Sequence, residues 1–194
     1  MKSVMLSIQP YYVFLIIARL MWWCIPHNKT VEVRKNFPQD KKWNRTVHIY
    51  CSKNRRSFNR IPAQYQPFMA KLLGKVVGEF VCDKIEQRSI PLISSPACWN
   101  AIATREVFDR LSHDSCLSKE ELSLYAGSRI LCFWNISDIK IYDKPKELGE
   151  FKGYCEKKKE CYSDIIRHCK NTHFDWKCNS LTRPPQSWCY VEED

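Results

Sequence analysis

A mixed α+β fold built around a small barrel is predicted by three observations. Short runs of alternating apolar and polar residues, the pattern of half-buried strands, recur along the whole chain. Segments with helical spacing are fewer, and they lie between the strands rather than in one block. The 194 residues are 44% apolar and 13% aromatic, which suits one packed domain with a sizeable insertion and excludes wholesale disorder.

Each element has its own local reason. "SVMLSIQP" alternates and stops at Pro10, so it reads as the first strand. Residues 11–24 are apolar nearly all round with Arg19 the only charge, the composition of a helix packed inside a core. Pro26 ends it, and "KTVEVRK" returns to period two. "TVHIYCSK", 46–53, is the next strand. "NRRSFNRIPAQYQPFMAKLL" is basic, interleaved with aromatics, and holds a short helix from about Gln66. "GKVVGEFVCDKIE", 74–86, reads as one strand apolar on both faces, hence buried. "ACWNAIATREVFDRL" has helical spacing. Ser118 and Glu121 form a capping-box pattern, which predicts a helix over 119–125 closed by Gly127. "RILCFWNISDIKIYDKP", 129–145, reads as one strand, and "LTRPPQSWCYVEE", 181–193, as the last. Before it, over 151–180, lysine and cysteine rise while aliphatics fall away, the mark of an insertion within a single domain spanning 1–194.

The formal net charge of +10 favours a polyanionic partner, nucleic acid or an acidic membrane surface. Eleven cysteines cannot all pair within the chain. Cys51, Cys82, Cys132 and Cys189 sit in apolar runs and read as small buried hydrophobes. The apolar run before Arg19 is too short to span a membrane, and no small-residue cleavage site follows before Trp22. The expectation is a cytoplasmic protein with no membrane association.

Alternation in "KTVEVRK" puts Thr30, Glu32 and Arg34 on one face and Lys29, Val31 and Val33 on the other. With the valines inward, Glu32 and Arg34 project together from the barrel wall and Lys29 sits at its mouth. Arginine holds a phosphate or carbonyl bidentately, and lysine supplies a point charge or, if desolvated, a nucleophile. A solvated strand with one ion pair fits the same spacing. Glu79, flanked by Val77 and Val81, needs a partner or contact with water, and a partner could be Lys29 or Arg34 across a cleft. Gly78 beside it allows close approach of another group. Lys53, Arg55, Arg56 and Arg60, with Phe58 and Tyr65, offer cations and stacking rings of the kind single-stranded RNA requires, or simply a solvated loop. In the insertion, Cys155, Cys161, Cys169 and Cys178, with His168 and His173 near, could hold zinc, or form a lysine-rich solvated loop.

These segments together resemble the ASCH domain, a relative of the PUA fold. "LSIQPYYVFLIIA" is similar to its opening strand and helix, and "NKTVEVRK" to its signature, G-x-K-T-x-E-x-R. "VHIYCS" and "GKVVGEFVCDKI" resemble its next strands. "EELSLYAG", "WNISDIKIYDKPKEL" and "PPQSWCYVEE" resemble later segments of a longer bacterial and phage-borne branch. The resemblance implies a cytosolic PUA-like β-barrel edged by helices, with a cleft for RNA or a nucleoside. It maps the signature lysine, acid and arginine onto Lys29, Glu32 and Arg34. One small branch is similar to an amidohydrolase of N(4)-acetylcytidine that uses Lys, Thr and Glu. Its lysine matches Lys29, but its threonine falls on Glu32, with Thr30 nearby, and its glutamate matches Glu79 or Glu121 by rough location only. On that alternative Lys29, Glu32 and Glu79 are the catalytic candidates. Lys29, Thr30, Glu32, Arg34, Arg55 and Arg56 are the binding candidates. The signature glycine is replaced in the turn by His27 or Asn28, and Asn135 stands where a histidine would be expected.

Overall fold

The computed structural model describes residues 2–21, 29–38, 44–90, 102–127, 129–154 and 180–192. Strand β1 (Lys2–Ile8) leads into helix α1 (Pro10–Met21), followed by β2 (Val31–Arg34) and β3 (Arg45–Cys51). The short helices α2 (Arg55–Phe58) and α3 (Gln66–Ala70) precede β4 (Val76–Cys82) and β5 (Ile85–Ser89). Then come α4 (Ile102–Ser115), α5 (Lys119–Ala126), β6 (Ile130–Asn135), β7 (Ser137–Lys146) and β8 (Trp188–Glu192). The strands form a five-stranded sheet, β7-β4-β3-β1-β8, and a three-stranded sheet, β2-β6-β5. The architecture is mixed α+β.

Pro10 serves as the first residue of α1, where its missing N–H would have had no helical partner. The helix supplies the crossover that the parallel β1–β3 pair requires. Val13, Phe14, Leu15, Ile16 and Ile17 are all buried, as a helix apolar all round demands. They pack on Val4, Leu6, Ile8, Val47, Ile49 and Phe80, which alternation places on one face of the large sheet. The opposite face carries Met5, Tyr50 and Val191 beneath Leu148 and Phe151. A separate cluster seats Val31, Val33, Leu131 and Phe133 of the small sheet against Phe108, Leu111 and Leu122 of α4 and α5. Helix α5 begins with both halves of the capping box: the Glu121 N–H donates to Ser118 Oγ at 3.1 Å, and the Ser118 N–H to Glu121 Oε2 at 2.9 Å.

Two segments expected as single strands each divide. The 74–86 run breaks after Cys82, so β4 joins the large sheet and β5 the small one. The 129–145 run breaks at Ile136, so β6 and β7 part in the same way. Both breaks meet at one corner. Asn135 donates its side-chain N–H to Asp83 at 2.7 Å and its backbone N–H to the Lys84 carbonyl at 2.9 Å. Ser137 Oγ donates to the Val81 carbonyl, and Asp138 takes a left-handed φ of 43°. Strands that change sheet at such a corner wrap the two sheets around a shared core. The two sheets, joined at this corner, form the mixed α+β architecture expected; among the described residues the strand pairs do not close into one ring.

Cys51, Cys82 and Cys132 are buried and Cys189 is half-buried, all as free thiols. Burial pushes the Cys51 and Cys82 thiols up to about 12 and Cys189 to about 11, so they pack as hydrophobes rather than react. Lys152 bridges Ser180, and Gly153 bridges Val191, so these positions are neighbours in space. Cys155, Cys161, His168, Cys169, His173 and Cys178 lie outside the described residues. No helix among the described residues is long and apolar enough to cross a membrane.

Candidate functional site

Strand β2 is covered on both faces, and that changes what its charges do. Val31 and Val33 face the α4–α5 cluster, as alternation requires. The other face does not meet solvent. Glu32 is 4% exposed and Lys29 only 1%. Lys29 is therefore not at a mouth. Its side chain donates to the carbonyls of Val31 at 2.8 Å and Ser115 at 2.9 Å, tying β2 to the end of α4. Its ammonium lies 3.2 Å from Glu32 Oε2 and 4.9 Å from the centre of the Tyr12 ring. Glu32 Oε1 meets the Arg34 guanidinium at 3.0 Å, and Arg34 also donates to the Ser7 carbonyl. The result is a buried Lys29–Glu32–Arg34 triad with one net positive charge. Glu32 Oε2 and Arg34 Nε are buried without a hydrogen-bond partner, so charge alone holds those atoms. Thr30 is tied through its backbone, donating to the Asp114 carbonyl and accepting from the Ile136 N–H.

The triad forms the floor of a cleft of about 280 Å³ between α1 and α5. Tyr12 and Tyr125 stand in its walls, with Glu121 and the exposed Leu124. The rim cations lie on the rings. The Arg60 guanidinium is 4.3 Å from the Tyr11 ring centre and 5.7 Å from that of Tyr12, and Lys35 Nζ is 4.9 Å from that of Tyr125. Arg60 also donates to Tyr12 Oη and sits 3.5 Å from Glu121. Burial pushes the Tyr12 hydroxyl above its ordinary value, partly offset by the Arg60 hydrogen bond. Arg55 and Arg56 are exposed on α2, whose Ser57 hydroxyl accepts the Tyr11 N–H at the start of α1.

Glu79 is elsewhere. It projects from the face of the large sheet opposite α1, where it accepts from Tyr142 Oη at 2.7 Å and lies 3.5 Å from His48 and 3.9 Å from Lys140. The expected pairing with Lys29 or Arg34 is replaced by these three partners. Alternation gave Glu79 a face but could not say which neighbours shared it. Of the two glutamates matched by rough location, Glu121 lines the cleft and Glu79 does not. Asn135 lies at the sheet corner, spent on Asp83. The sequence reading also passed over Tyr12, Lys35 and Tyr125. Tyr12, beside Tyr11 in the first turn of α1, was the available sign of the first.

Comparison with known proteins gives a clear answer on fold. Family models and curated protein sequences give no match. The crystal structure of ASCH from Zymomonas mobilis superposes with a TM-score of 0.53 at 14% identity, over 98% of this chain and 88% of that one. A serine-to-alanine variant of the same Zymomonas mobilis protein gives a TM-score of 0.51 at 14% identity, over 98% and 89%. The chain has the ASCH fold.

In this ASCH fold the KTVEVR run supplies the cleft floor and the first helix supplies a wall. Among the described residues no group of three or more His, Cys, Asp or Glu side chains is placed to hold a metal. The side chain buried most consequentially outside the cleft is His48. Burial lowers its pKa below the ordinary 6.5, against the opposing pull of Glu79. The unfolded chain therefore binds the proton first. Stability is full above pH 6.5 and falls as the pH drops from there towards the lower folded value. Replacing His48 with Gln is expected to remove that loss, as read by urea unfolding at about pH 7.5 and about pH 5.5. An unchanged difference between the two pH values would assign the acid sensitivity to another group.

Proposed function

We propose that this ASCH-fold protein binds RNA or a nucleotide in the cleft above the Lys29–Glu32–Arg34 triad. The observation that carries the reading is the triad itself: a desolvated floor with net positive charge, between two tyrosines. Charge in a low-dielectric floor attracts an anionic or electron-rich ligand more strongly than the same charge in water. Tyr12 and Tyr125 offer rings to a base. Lys35 and Arg60 sit at the rim, where a phosphate would pass, and the exposed Arg55 and Arg56 would follow the backbone beyond it. The net charge of +10 agrees with a polyanionic partner.

Fluorescence anisotropy with a short single-stranded RNA at low salt tests this. The double replacement of Lys35 and Arg60 by Ala is expected to weaken binding roughly tenfold and to flatten the slope of log affinity against log salt by about 1.4, that is about 0.7 for each cation removed. Both residues are at the rim, so folding should survive. Absence of binding at low salt, or affinity and salt slope untouched by the double replacement, rejects the reading.

An amidohydrolase in the same cleft finds one supporting feature, the Lys29 ammonium beside the Glu32 carboxylate at 3.2 Å. Two of the three Lys29 N–H groups, however, already serve backbone carbonyls. A nucleophilic lysine would have to abandon both. Release of cytidine from N(4)-acetylcytidine, lost on Lys29→Ala while folding is kept, would overturn this preference.

A further inference from the structure

The opposite face of the five-stranded sheet carries a second cleft, of about 480 Å³, that shares no lining residue with the first. Its floor is polar and ordered. Tyr142 Oη donates its one proton to Glu79 Oε2 at 2.7 Å. It therefore accepts at 3.1 Å from His48 Nδ1–H, which leaves His48 Nε2 to accept from the Ser3 hydroxyl at 3.0 Å. The direction of every proton in the chain Ser3–His48–Tyr142–Glu79 follows from that single donation. Burial keeps His48 below its ordinary pKa and Tyr142 above its own, in line with a neutral ring and a protonated phenol. Glu79 is thereby fixed with Oε1 towards the cleft, where its nearest cation, Lys140, is 3.9 Å away and well exposed. The Thr46 hydroxyl lines the same floor.

The wall carries both signs, with Lys146 and Lys152 standing among Glu150 and Glu192. Lys146 Nζ lies 4.9 Å from the Tyr142 ring centre and 5.6 Å from that of Phe151, and it has no carboxylate partner among the described residues. Lys152 flanks Phe151 in the chain and lines the cleft beside it; its carbonyl accepts the Glu192 N–H, and its ammonium forms no ion pair among the described residues. Two ammonium groups act as point charges for a compact anion. A carboxylate and a hydroxyl on the floor accept from, or bond with, the hydroxyls of the same ligand. The volume suits a small molecule.

We propose that this second cleft binds a small sugar phosphate, with the phosphate between Lys146 and Lys152 and the sugar hydroxyls on Glu79 and Thr46. The site is independent of the RNA-binding reading, since none of its residues belongs to the first cleft. Isothermal titration of the full chain with ribose 5-phosphate tests it, beside inorganic phosphate and ribose as single-feature probes. Ribose 5-phosphate is expected to bind roughly tenfold more tightly than inorganic phosphate, and ribose not measurably. Lys146→Ala with Lys152→Ala should abolish binding, and Lys144→Ala, an equally exposed lysine on the same strand, should leave it unchanged. Glu79→Gln should narrow the gap between ribose 5-phosphate and inorganic phosphate. The proposal is overturned if ribose 5-phosphate gives no binding heat. It is also overturned if inorganic phosphate binds equally well, or if Lys144→Ala weakens binding as much as the double replacement.

Discussion

Replacing Glu32 with Ala is expected to cost about 3–5 kcal/mol of folding stability, the usual penalty for removing one partner of a buried ion pair. The reason lies in what remains. Lys29 and Arg34 would be left as two cations with no counter-charge, the first at 1% exposure and the second largely enclosed. Lys29 keeps the Val31 and Ser115 carbonyls, but these dipoles do not neutralise it. Lys29, tied to the end of α4 through the Ser115 carbonyl, is the more costly of the two to leave unpaired. Lys29→Met should cost less, because Glu32 retains Arg34 and methionine fills much of the same volume. Urea unfolding of the three proteins measures both. A loss below about 1 kcal/mol for Glu32→Ala is what a solvated surface pair would give, and it would mean that the cleft floor is wet. The premise of a desolvated, positively charged binding floor would then go with it.

Gly78→Ala is expected to be the next most damaging change, at about 1–3 kcal/mol or more. A Cβ at this position would stand 2.4 Å from the Lys140 carbonyl oxygen and 3.0 Å from Ile141 Cα. Both are backbone atoms of β7, which pairs with β4 through Gly78 and Ile141. A side chain could swing aside, but a paired strand cannot. The displacement would also carry Lys140 and Tyr142, and with them the hydrogen bonds to Glu79 and His48. Gly149 gives the matched control, since a Cβ there meets nothing within 4 Å. Gly149→Ala should stay within about 0.5 kcal/mol of the parent. If thermal unfolding places the two variants together, β7 does not approach β4 as closely as described.

Much of this was legible in the chain, and the reason is local. The apolar ring of residues around α1 could only be buried. Ser118 and Glu121, three residues apart, could cap only a helix beginning between them. Gly78 promised a close approach, and one occurs, although the approaching group is the β7 backbone rather than a partner for Glu79. The order of the segments that resemble the ASCH domain, read through "NKTVEVRK", matches the fold found at 14% identity.

Other features were decided only when the chain folded. A run of alternating residues says which side chains share a face, but not what covers that face. That is why Lys29 and Glu32, expected at a mouth and on an open wall, are buried beneath Tyr12 and Ser115. It is also why Glu79 answers to His48 and Tyr142 instead of Lys29. The division of 74–86 and 129–145 into strands of two sheets depends on Asn135 reaching Asp83, 52 residues away in sequence. By itself, the sequence determined the helices, the cap of α5 and the charged strand, but not where the two long strand runs divide. Pairing, sheet membership and burial were settled by contacts between distant segments, whose strength no single stretch of chain carries.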